Sequence, residues 1–445
     1  MRFVVFHKGI TETLAYFSSC IAKELEALGH TVLRFEIKDE TQQLPELLRF
    51  LQQGDVTLLT FNFHGIQQEA IFYEQGKEFV QSQKINSKNK VFCETSAGRL
   101  LWDVYEVRCI NIVVDHPLYY WKFYDTLPKN YIQLCIDGGH EAYMRKMYPK
   151  VRLLPTMPLA GSSIGEAVVL GAWKKTLEKS TGTINAGLGE RQNKQRNEEI
   201  QKLPKRLGNR KYDVVFAGNY KPPREFEPLI TRNGPEYEQF YREILKEFFS
   251  HPEKDLNTVF EAHIRQNMGE LTKQELAQAF HYLMFLDMYV RFHYRGEVVR
   301  LLTEAEIPVH VYGLGWERLH TARPDLLICH GSVDTADCLD AFGAAKISLN
   351  VMPWFKQGAH DRIYSSMLSG AVTLTDTSRY LVQRFSDRKQ LVFYKLGELS
   401  KVPELVKELL VDTEGMQQIA DCGYVYAKEH LTWQCFVAEL LEQLS

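Results

Sequence analysis

One segment of the chain brings glycine, histidine, aspartate and arginine together directly after an apolar run. The run is Ile347–Val351, and Gly358, His360, Asp361 and Arg362 follow it into a pattern typical of a helix. Amide groups at a helix start and a planar guanidinium both favour dispersed negative charge, as on a pyrophosphate. The alternative is that Asp361 only caps the helix and Arg362 is solvated. We favour an anion site, because these residue types converge immediately after a strand.

Two further turns in the same half follow strand-like runs. Gly218-Asn219 can approach a diphosphate from the other side, although this pair is also common in plain turns. Tyr312, Gly313 and Trp316 follow the next strand and can line a pocket for a nucleotide base, by stacking or by backbone hydrogen bonds. Trp316 is equally consistent with a place in the core.

In the amino-terminal half, the candidate general bases lie at strand ends. Asp115-His116 is the strongest, because a carboxylate beside an imidazole can orient it and raise its basicity. The alternative is a structural histidine, since Pro117 forces the preceding residue to be extended. His64 and His7 end two other strands and are weaker candidates for catalysis.

A basic cluster precedes the strand at Pro308. It consists of Arg291, His293, Arg295 and Arg300, late in a long helical pattern. Such a cluster either supplements a phosphate site or is simply solvated. We favour solvation.

The elements that must position these residues alternate between strands and helices. Arg2–His7 predicts a strand, Thr11–Leu28 predicts a helix that stops at Gly29, and Thr31–Ile37 predicts the next strand. The strands are apolar throughout, which is typical of a parallel sheet covered on both faces. A second series of the same kind opens at Tyr212–Ala217. The fold class predicted is α/β, with two Rossmann-like, doubly wound parallel-sheet domains.

A length of 445 residues is more than one hydrophobic core usually serves. We expect an amino-terminal domain over 1–160, an interdomain segment over 161–210, and a second domain over 211–425. A helical insertion is expected at about 235–302 of the second domain. The last stretch, 426–445, predicts a helix that packs back on the first domain.

Composition excludes several classes of protein. A formal net charge of −3 gives no global field that would draw the chain onto nucleic acid or an anionic membrane. The longest apolar runs, such as Val56–Phe61, are far shorter than the roughly 20 residues that a membrane span needs. No secretory signal is recognisable, so we expect a cytoplasmic protein. Eight scattered cysteines predict neither disulfides nor structural zinc.

The carboxyl-terminal half resembles the donor-binding half of the group-1 glycosyltransferases, most closely the branch related to the spore maturation protein B family. The likeness is carried by Gly358–Tyr364 and Gly370–Asp376, with Asp213–Asn219, Val309–Trp316 and His330–Val333 in the expected order. The resemblance implies the GT-B fold, with two domains facing a central cleft. It also implies a nucleotide-sugar donor, a UDP-sugar by expectation, and no metal or cofactor.

The resemblance assigns donor contacts to the carboxyl-terminal domain, at positions that include Asn350, Arg362 and Ser365. Many group-1 enzymes place a ribose-binding Glu five residues before the glycine that ends this helix. Here the glycine is Gly370 and the position is Ser365. The departure puts a ribose contact there in doubt.

These observations predict a hexosyltransferase-type glycosyltransferase with a glycan or protein acceptor, as in bacterial glycan or protein glycosylation. Two alternatives stay open: a nucleotide-sugar isomerase or phosphorylase-type enzyme on the same scaffold, and a catalytically inactive module that binds nucleotide-sugars. A dinucleotide oxidoreductase is disfavoured, because His7-Lys8-Gly9-Ile10 stands where a Gly-x-Gly-x-x-Gly turn is needed.

Overall fold

The computed structural model describes residues 1–7, 11–35, 40–67, 71–74, 77–81, 99–165, 204 and 206–445. The chain divides into two compact units. The first contains Met1–Met157 and Val437–Ser445, and the second contains Pro158–Phe436. Most of the expected interdomain segment, 161–210, lies outside the described residues.

The first unit is built on a six-stranded sheet. The strands of the whole unit are β1 (Arg2–Phe6), β2 (Thr31–Phe35), β3 (Val56–Phe61), β4 (Ile71–Glu74), β5 (Lys77–Gln81), β6 (Arg99–Leu100), β7 (Arg108–Val113), β8 (Tyr131–Cys135) and β9 (Arg152–Leu153). The main sheet has the order β2-β1-β3-β7-β8-β9, and every pairing in it is parallel. A small antiparallel sheet has the order β5-β4-β6.

Helices connect these strands. They are α1 (Glu12–Ala27), α2 (Glu40–Leu51), α3 (Leu101–Val104) and α4 (Gly138–Met147), with a 3-10 helix at Pro117–Asp125. Helix α1 begins where the Thr11 hydroxyl accepts a hydrogen bond from Leu14 N over 3.3 Å, and it ends before Gly29, whose φ is 81°. Every residue of β3 and β8 is buried, so these strands are covered on both faces as predicted.

The second unit is built on another six-stranded sheet. Its strands are β10 (Tyr212–Ala217), β11 (Val309–Tyr312), β12 (Leu327–Cys329), β13 (Ala345–Asn350), β14 (Val372–Asp376) and β15 (Val392–Tyr394). The order is β12-β11-β10-β13-β14-β15, and all pairings are parallel. The chain builds one side of the sheet from β10 to β12 and then returns to the other side at β13. The sheet therefore has a topological switch point between β10 and β13.

The helices of the second unit include the long insertion expected after β10. They are α5 (Glu227–Thr231), α6 (Pro235–Ser250), α7 (Leu256–Met268), α8 (Lys273–Tyr282), α9 (Met284–Glu304), α10 (Thr335–Ala344), α11 (Asp361–Leu368), α12 (Arg379–Arg384), α13 (Val402–Val411) and α14 (Thr413–His430). The last helix, α15 (Trp433–Leu444), begins in the second unit, and its residues from Val437 onward belong to the first. Short 3-10 helices lie at Leu207–Asn209, Pro223–Phe226, Trp316–Arg318, Pro324–Leu326 and Leu396–Lys401.

The two parallel sheets with their connecting helices confirm the predicted fold class, two Rossmann-like domains in one chain as in the GT-B fold. Among the described residues, no helix is long and apolar enough to cross a membrane.

Candidate functional site

The switch point of the second sheet gathers most of the residues that were predicted to bind an anion. In open parallel sheets, ligands bind beyond the carboxyl ends of the strands at such a point. Here β10 ends next to Gly218, and its neighbour β13 ends at Asn350. Helix α11 then begins at Asp361.

Arg362 lies directly over this edge. Its Nη1 donates a hydrogen bond to Asn350 Oδ1 over 2.9 Å, and its guanidinium carbon lies 5.5 Å from the centre of the Phe216 ring on β10. A Cβ atom added to Gly218 would be 3.4 Å from Arg362 Nη2. The guanidinium therefore spans the ends of both strands, and glycine at position 218 leaves room for it.

The start of α11 is capped by His360 rather than by Asp361. His360 is in the extended region, and its Nδ1 accepts a hydrogen bond from Arg362 N over 3.2 Å. Burial lowers the pKa of His360 and the charge of Arg362 lowers it further, although Asp361, whose Oδ1 lies 2.9 Å from Nδ1, opposes the fall. Burial alone would raise the pKa of Asp361, but His360 and Arg362 outweigh it and hold that pKa below its ordinary range.

A second guanidinium reaches the same edge from the insertion. Arg295 on α9 donates from Nη1 to the carbonyl of Asn219 over 3.0 Å. Burial lowers the pKa of Arg295 well below its ordinary value, and the nearby charges of Arg362 and Arg291 lower it further. Two like charges held together in this way make a strong site for an anion.

The prediction that the basic cluster is solvated therefore fails for Arg295. It suits Arg300, whose two acidic partners on the same helix are part exposed, but not Arg291, whose partner Asp287 is 1% exposed. Arg291 pairs with Asp287 over 3.2 Å, and Arg300 pairs with Glu297 and Glu304. Sequence spacing does not distinguish these cases, because the contact of Arg295 with Asn219 joins residues 76 positions apart.

The loops after β10 and β11 are fastened to each other. Gly218 N donates to Tyr312 O over 2.7 Å, and Leu314 N donates to Asn219 Oδ1 over 2.9 Å. Gly313 has a φ of 136°, and a Cβ there would come within 2.5 Å of Gly218 O. The side chain of Asn219 thus holds the loops together.

Trp316 does not offer a ring face to a ligand, which corrects one predicted role. Its side chain is completely buried, and its Nε1 donates to Gly218 O over 2.7 Å. The indole stacks on Tyr220 at a ring distance of 4.9 Å. Trp316 positions the Gly218 turn, which agrees with the core alternative.

The aromatic surface at this edge comes instead from His330, which directly follows β12. Its ring lies parallel to that of Tyr312, at 4.2 Å and 6°. Tyr312 is buried beneath it, whereas His330 is exposed. Its Nε2 also lies 2.9 Å from Nδ1 of His310 on β11. His330 was recognised only as part of a motif, because its exposure depends on the short edge strand before it.

Two further predicted contacts have structural partners instead. Ser365 is 5% exposed, and its hydroxyl accepts a hydrogen bond from Ser162 N over 3.0 Å. Ser162 in turn accepts from Trp433 Nε1 over 2.8 Å. Gly358 is buried, and its carbonyl accepts from Ser378 Oγ over 2.7 Å. The Ser365 hydroxyl therefore anchors another segment, and its predicted contact with a donor stays a prediction.

Asp376 ends β14 and was recognised only as part of a motif. It is 1% exposed, and its Oδ1 accepts a hydrogen bond from Met352 N over 2.8 Å. Burial raises the pKa of this carboxyl to about 6, although the nearby Lys356 ammonium opposes the rise.

In the first unit, the predicted pairing of Asp115 with His116 is replaced by other contacts. Asp115 Oδ2 accepts hydrogen bonds from Asn62 Nδ2 and Tyr120 OH, both over 3.1 Å. His116 is 6% exposed, and its Nδ1 accepts from Leu118 N, which caps the 3-10 helix. The structural alternative for His116 is therefore favoured.

His64 is also buried, at 2% exposure, with its ring stacked on Phe6. A buried imidazole cannot contact an acceptor, so the predicted catalytic role of His64 is not supported. Of the three predicted catalytic residues, Asp115 is the one that remains half-buried at the carboxyl edge of the sheet.

Comparison with known proteins gives one family match. Residues 295–442 match a family model described as "Glycosyl transferase-like". The matched range starts at Arg295 and contains Asn350, Arg362 and Asp376. No curated protein sequence matches this chain significantly.

Several solved structures are similar over the whole chain at low identity. Sucrose-phosphate synthase from Thermosynechococcus elongatus aligns over 100% of this chain and 98% of its own, with 10% identity and a TM-score of 0.44. HepE from Anabaena in complex with UDP-glucose aligns over 99% and 98%, with 9% identity and a TM-score of 0.44. An α-glucosyltransferase in complex with UDP-glucose and DNA containing an abasic site aligns over 100% and 98%, with 9% identity and a TM-score of 0.47.

Proposed function

We propose that this chain is a glycosyltransferase that moves a hexosyl group from a nucleotide-sugar, a UDP-sugar in the first instance, to a glycan or protein acceptor. The observation that carries the proposal is the convergence of Arg295 and Arg362 with the start of α11 at the switch point. The match of residues 295–442 to a glycosyl transferase-like family model supports it. The closer relation to the spore maturation protein B branch, and a cytoplasmic location, stay predictions.

The two arginines suit the diphosphate of such a donor. When the bond between the anomeric carbon and the diphosphate breaks, negative charge grows on the leaving group. Fixed guanidinium and amide groups stabilise that charge without having to reorganise. In this proposal Arg295 and Arg362 take the part that a divalent cation plays in other transferases, so transfer is expected to persist in EDTA.

For the nucleotide base we propose the edge formed by Gly313, Tyr312 and His330. Gly313 N is bonded to Gly331 O over 2.7 Å, which joins the turns after β11 and β12. The exposed His330 ring, backed by Tyr312, offers a flat face on which a base can stack.

For the acceptor we propose the carboxyl edge of the first unit's sheet, with Asp115 as the group that orients its hydroxyl. Hydrogen bonds from Asn62 and Tyr120 fix this carboxylate. Burial raises the pKa of Tyr120 far above its ordinary value, and Asp115 adds to the rise, so the phenol stays a donor. A carboxylate held in this way can accept a further hydrogen bond from a sugar or side-chain hydroxyl.

Binding measurements test the donor site directly. UDP-glucose, GDP-mannose and dTDP-glucose are titrated calorimetrically into the wild-type protein and into Arg362→Ala and Arg295→Ala. Each substitution is expected to weaken the preferred donor by about 10- to 100-fold, as expected for a charge-assisted contact worth about 1.5–3 kcal/mol. Arg388→Ala, which removes an exposed ion pair with Glu408, is the matched control. Equal affinity in Arg362→Ala and the control would reject the site.

Product analysis separates transfer from the alternatives. The preferred donor is incubated alone and then with acceptor extracts. Sugar attached to an acceptor supports the proposal. Isomerised or phosphorolysed donor without an acceptor indicates the second kind of enzyme, and binding without turnover indicates a binding module.

A further inference from the structure

Asp376 is a buried carboxyl group with an incomplete set of hydrogen bonds. Oδ1 accepts from Met352 N over 2.8 Å, but Oδ2 has no hydrogen-bond partner among the residues that the structure describes. With the residue 1% exposed, bulk water does not reach this oxygen. A buried acceptor left unpaired is unfavourable in the ionised state, so its retention calls for a physical reason.

The charged and titratable groups around Asp376 come from three other elements. Lys356, in the loop after β13, is 8% exposed, and its Nζ donates to the carbonyl of Pro252. Arg295 on α9 is the second cation, and its charge interacts with that of Asp376. Tyr294 on α9 and Tyr394 on β15 complete the set. Burial raises the pKa of both phenols and the Asp376 charge adds to the rise, so neither competes for the proton.

Asp376 is also connected to Arg362 through the two neighbouring strands. Thr375, the residue before it, accepts a hydrogen bond from Asn350 Nδ2 over 2.9 Å. Asn350 uses its other side-chain atom, Oδ1, to hold Arg362. Asp376 therefore lies one residue from the chain of contacts that orients one arginine, and it interacts electrostatically with the other.

We propose that Asp376 is a positioning residue of the donor site and that it takes up one proton from solution when a nucleotide-sugar diphosphate binds. The proposal rests on the proposed function, because it requires the anion to lie between the two arginines. In the free protein the carboxylate partly offsets the charge of Arg295. A bound diphosphate takes over that charge and leaves the carboxylate beside an anion. Protonation removes both the repulsion and a buried negative charge that has no hydrogen-bond donor at Oδ2.

The direction of the pH dependence follows from linkage. Burial raises the pKa of Asp376 to about 6 in the free protein, and a nearby anion raises it further. A group whose pKa rises on binding favours the complex in its protonated form. Donor affinity should therefore be constant below about pH 6 and fall as the pH rises towards 8, by up to about tenfold per unit for one proton. Near pH 7 the protein should take up a fraction of a proton that approaches one.

The experiment is calorimetric titration with UDP-glucose. A terminal phosphate has a second pKa of about 6 and would itself take up or release protons. Both phosphates of UDP-glucose are esterified, so the ligand has no group that titrates near neutrality. Enthalpies measured at pH 7 in buffers of different ionisation enthalpy give the number of protons taken up. The wild type is expected to show uptake and an affinity that falls from pH 6 to 8. Asp376→Asn should show neither, and Asp376→Glu should restore the uptake. His360→Asn, which keeps a capping side chain at the start of α11 but removes its titrating imidazole, should still show uptake.

The outcomes are distinguishable. Binding of UDP-glucose without proton uptake, or equal uptake by the wild type and Asp376→Asn, would overturn the role of Asp376 while leaving the donor site in place. If UDP-glucose, GDP-mannose and dTDP-glucose all fail to bind the wild type, the proposed function fails and this inference fails with it. Should Asp376→Asn not fold, the buffer series on the wild type and on His360→Asn still decides the matter, because uptake lost with His360 assigns the proton there.

Discussion

Arg362 is held by Asn350 through one hydrogen bond, from Nη1 to Oδ1 over 2.9 Å, at the topological switch point of the second sheet. The orientation of the amide is fixed as well, because Asn350 Nδ2 donates to Thr375 Oγ1 over 2.9 Å. Tyr394 OH also donates to the backbone carbonyl of Asn350 over 2.7 Å. A neutral amide therefore orients the guanidinium without cancelling its charge, which leaves that charge for a ligand.

Asn350→Asp is expected to separate fold stability from ligand binding. The new carboxylate would pair with Arg362, so the folded protein should lose little stability. The pairing neutralises the anion site, and donor affinity should fall at least tenfold, which is about 1.4 kcal/mol. Calorimetry measures the donor affinity and thermal unfolding measures the stability of the same samples. Thr375→Val, which removes the partner of Nδ2 without adding charge, is the control and should lose less affinity. Undiminished affinity in Asn350→Asp would contradict this account of Arg362.

The sequence predicted the parts of the site that are local. Gly358 to Arg362 follows a buried strand directly, so strand, turn and helix are all visible in a short window. Arg295 was missed because its contact with Asn219 depends on how the inserted helix α9 packs, and spacing along one helix does not show that. The structural partners of His116 and Ser365 were missed for the same reason. Packing of the His116 ring against His140 at 4.6 Å, and the bond from Ser162 to Ser365, are long-range contacts.

Gly313→Ala should damage the fastening between the loops after β10 and β11. Its Cβ would lie 2.5 Å from Gly218 O, and its φ of 136° is unfavourable for any residue with a side chain. We expect a loss of about 2–4 kcal/mol in the free energy of unfolding, together with weaker donor binding. Gly331→Ala is a matched control, because φ is also positive, at 73°, but nothing lies within 4 Å. Urea unfolding of both variants makes the comparison. Similar losses would show that the approach of the two loops is unimportant.

Ser365→Glu restores the residue that many group-1 enzymes use for the ribose, and it is expected to harm this protein. The position is 5% exposed and its hydroxyl is bonded to Ser162 N, so a carboxylate there is buried without a prepared set of donors. We expect a clear fall in melting temperature and no gain in donor affinity. Ser365→Ala should lower the free energy of unfolding by about 1–2 kcal/mol, because it leaves the Ser162 amide unpaired. Tighter donor binding by Ser365→Glu would show that the side chain reaches the ribose after all.

Arg210 is expected to be the most important single side chain for holding α10 and α11 against the second sheet. It is 6% exposed, and its Nη1 donates to the carbonyls of Phe342 and Ala345 over 3.2 and 2.8 Å. Its Nη2 donates to Ser369 O over 2.9 Å. These carbonyls lie at the carboxyl ends of α10 and α11, where a positive charge is also favoured by the helix dipoles. Burial lowers the pKa of Arg210 to about 10, so the guanidinium stays charged at neutral pH.

Arg210→Met keeps much of the side-chain volume but removes the guanidinium from three carbonyls, of which Phe342 O keeps a hydrogen bond from Ala345 N. With up to two carbonyls left unpaired, at about 1–3 kcal/mol each, we expect the free energy of unfolding to fall by about 2 kcal/mol or more. Arg388→Met, which breaks an exposed pair with Glu408, should cost about 0–1 kcal/mol. Urea unfolding at pH 7 compares the two, with the slope of the transition as a check on two-state behaviour. If both substitutions lower the free energy of unfolding equally, then α10 and α11 are held by their apolar contacts alone.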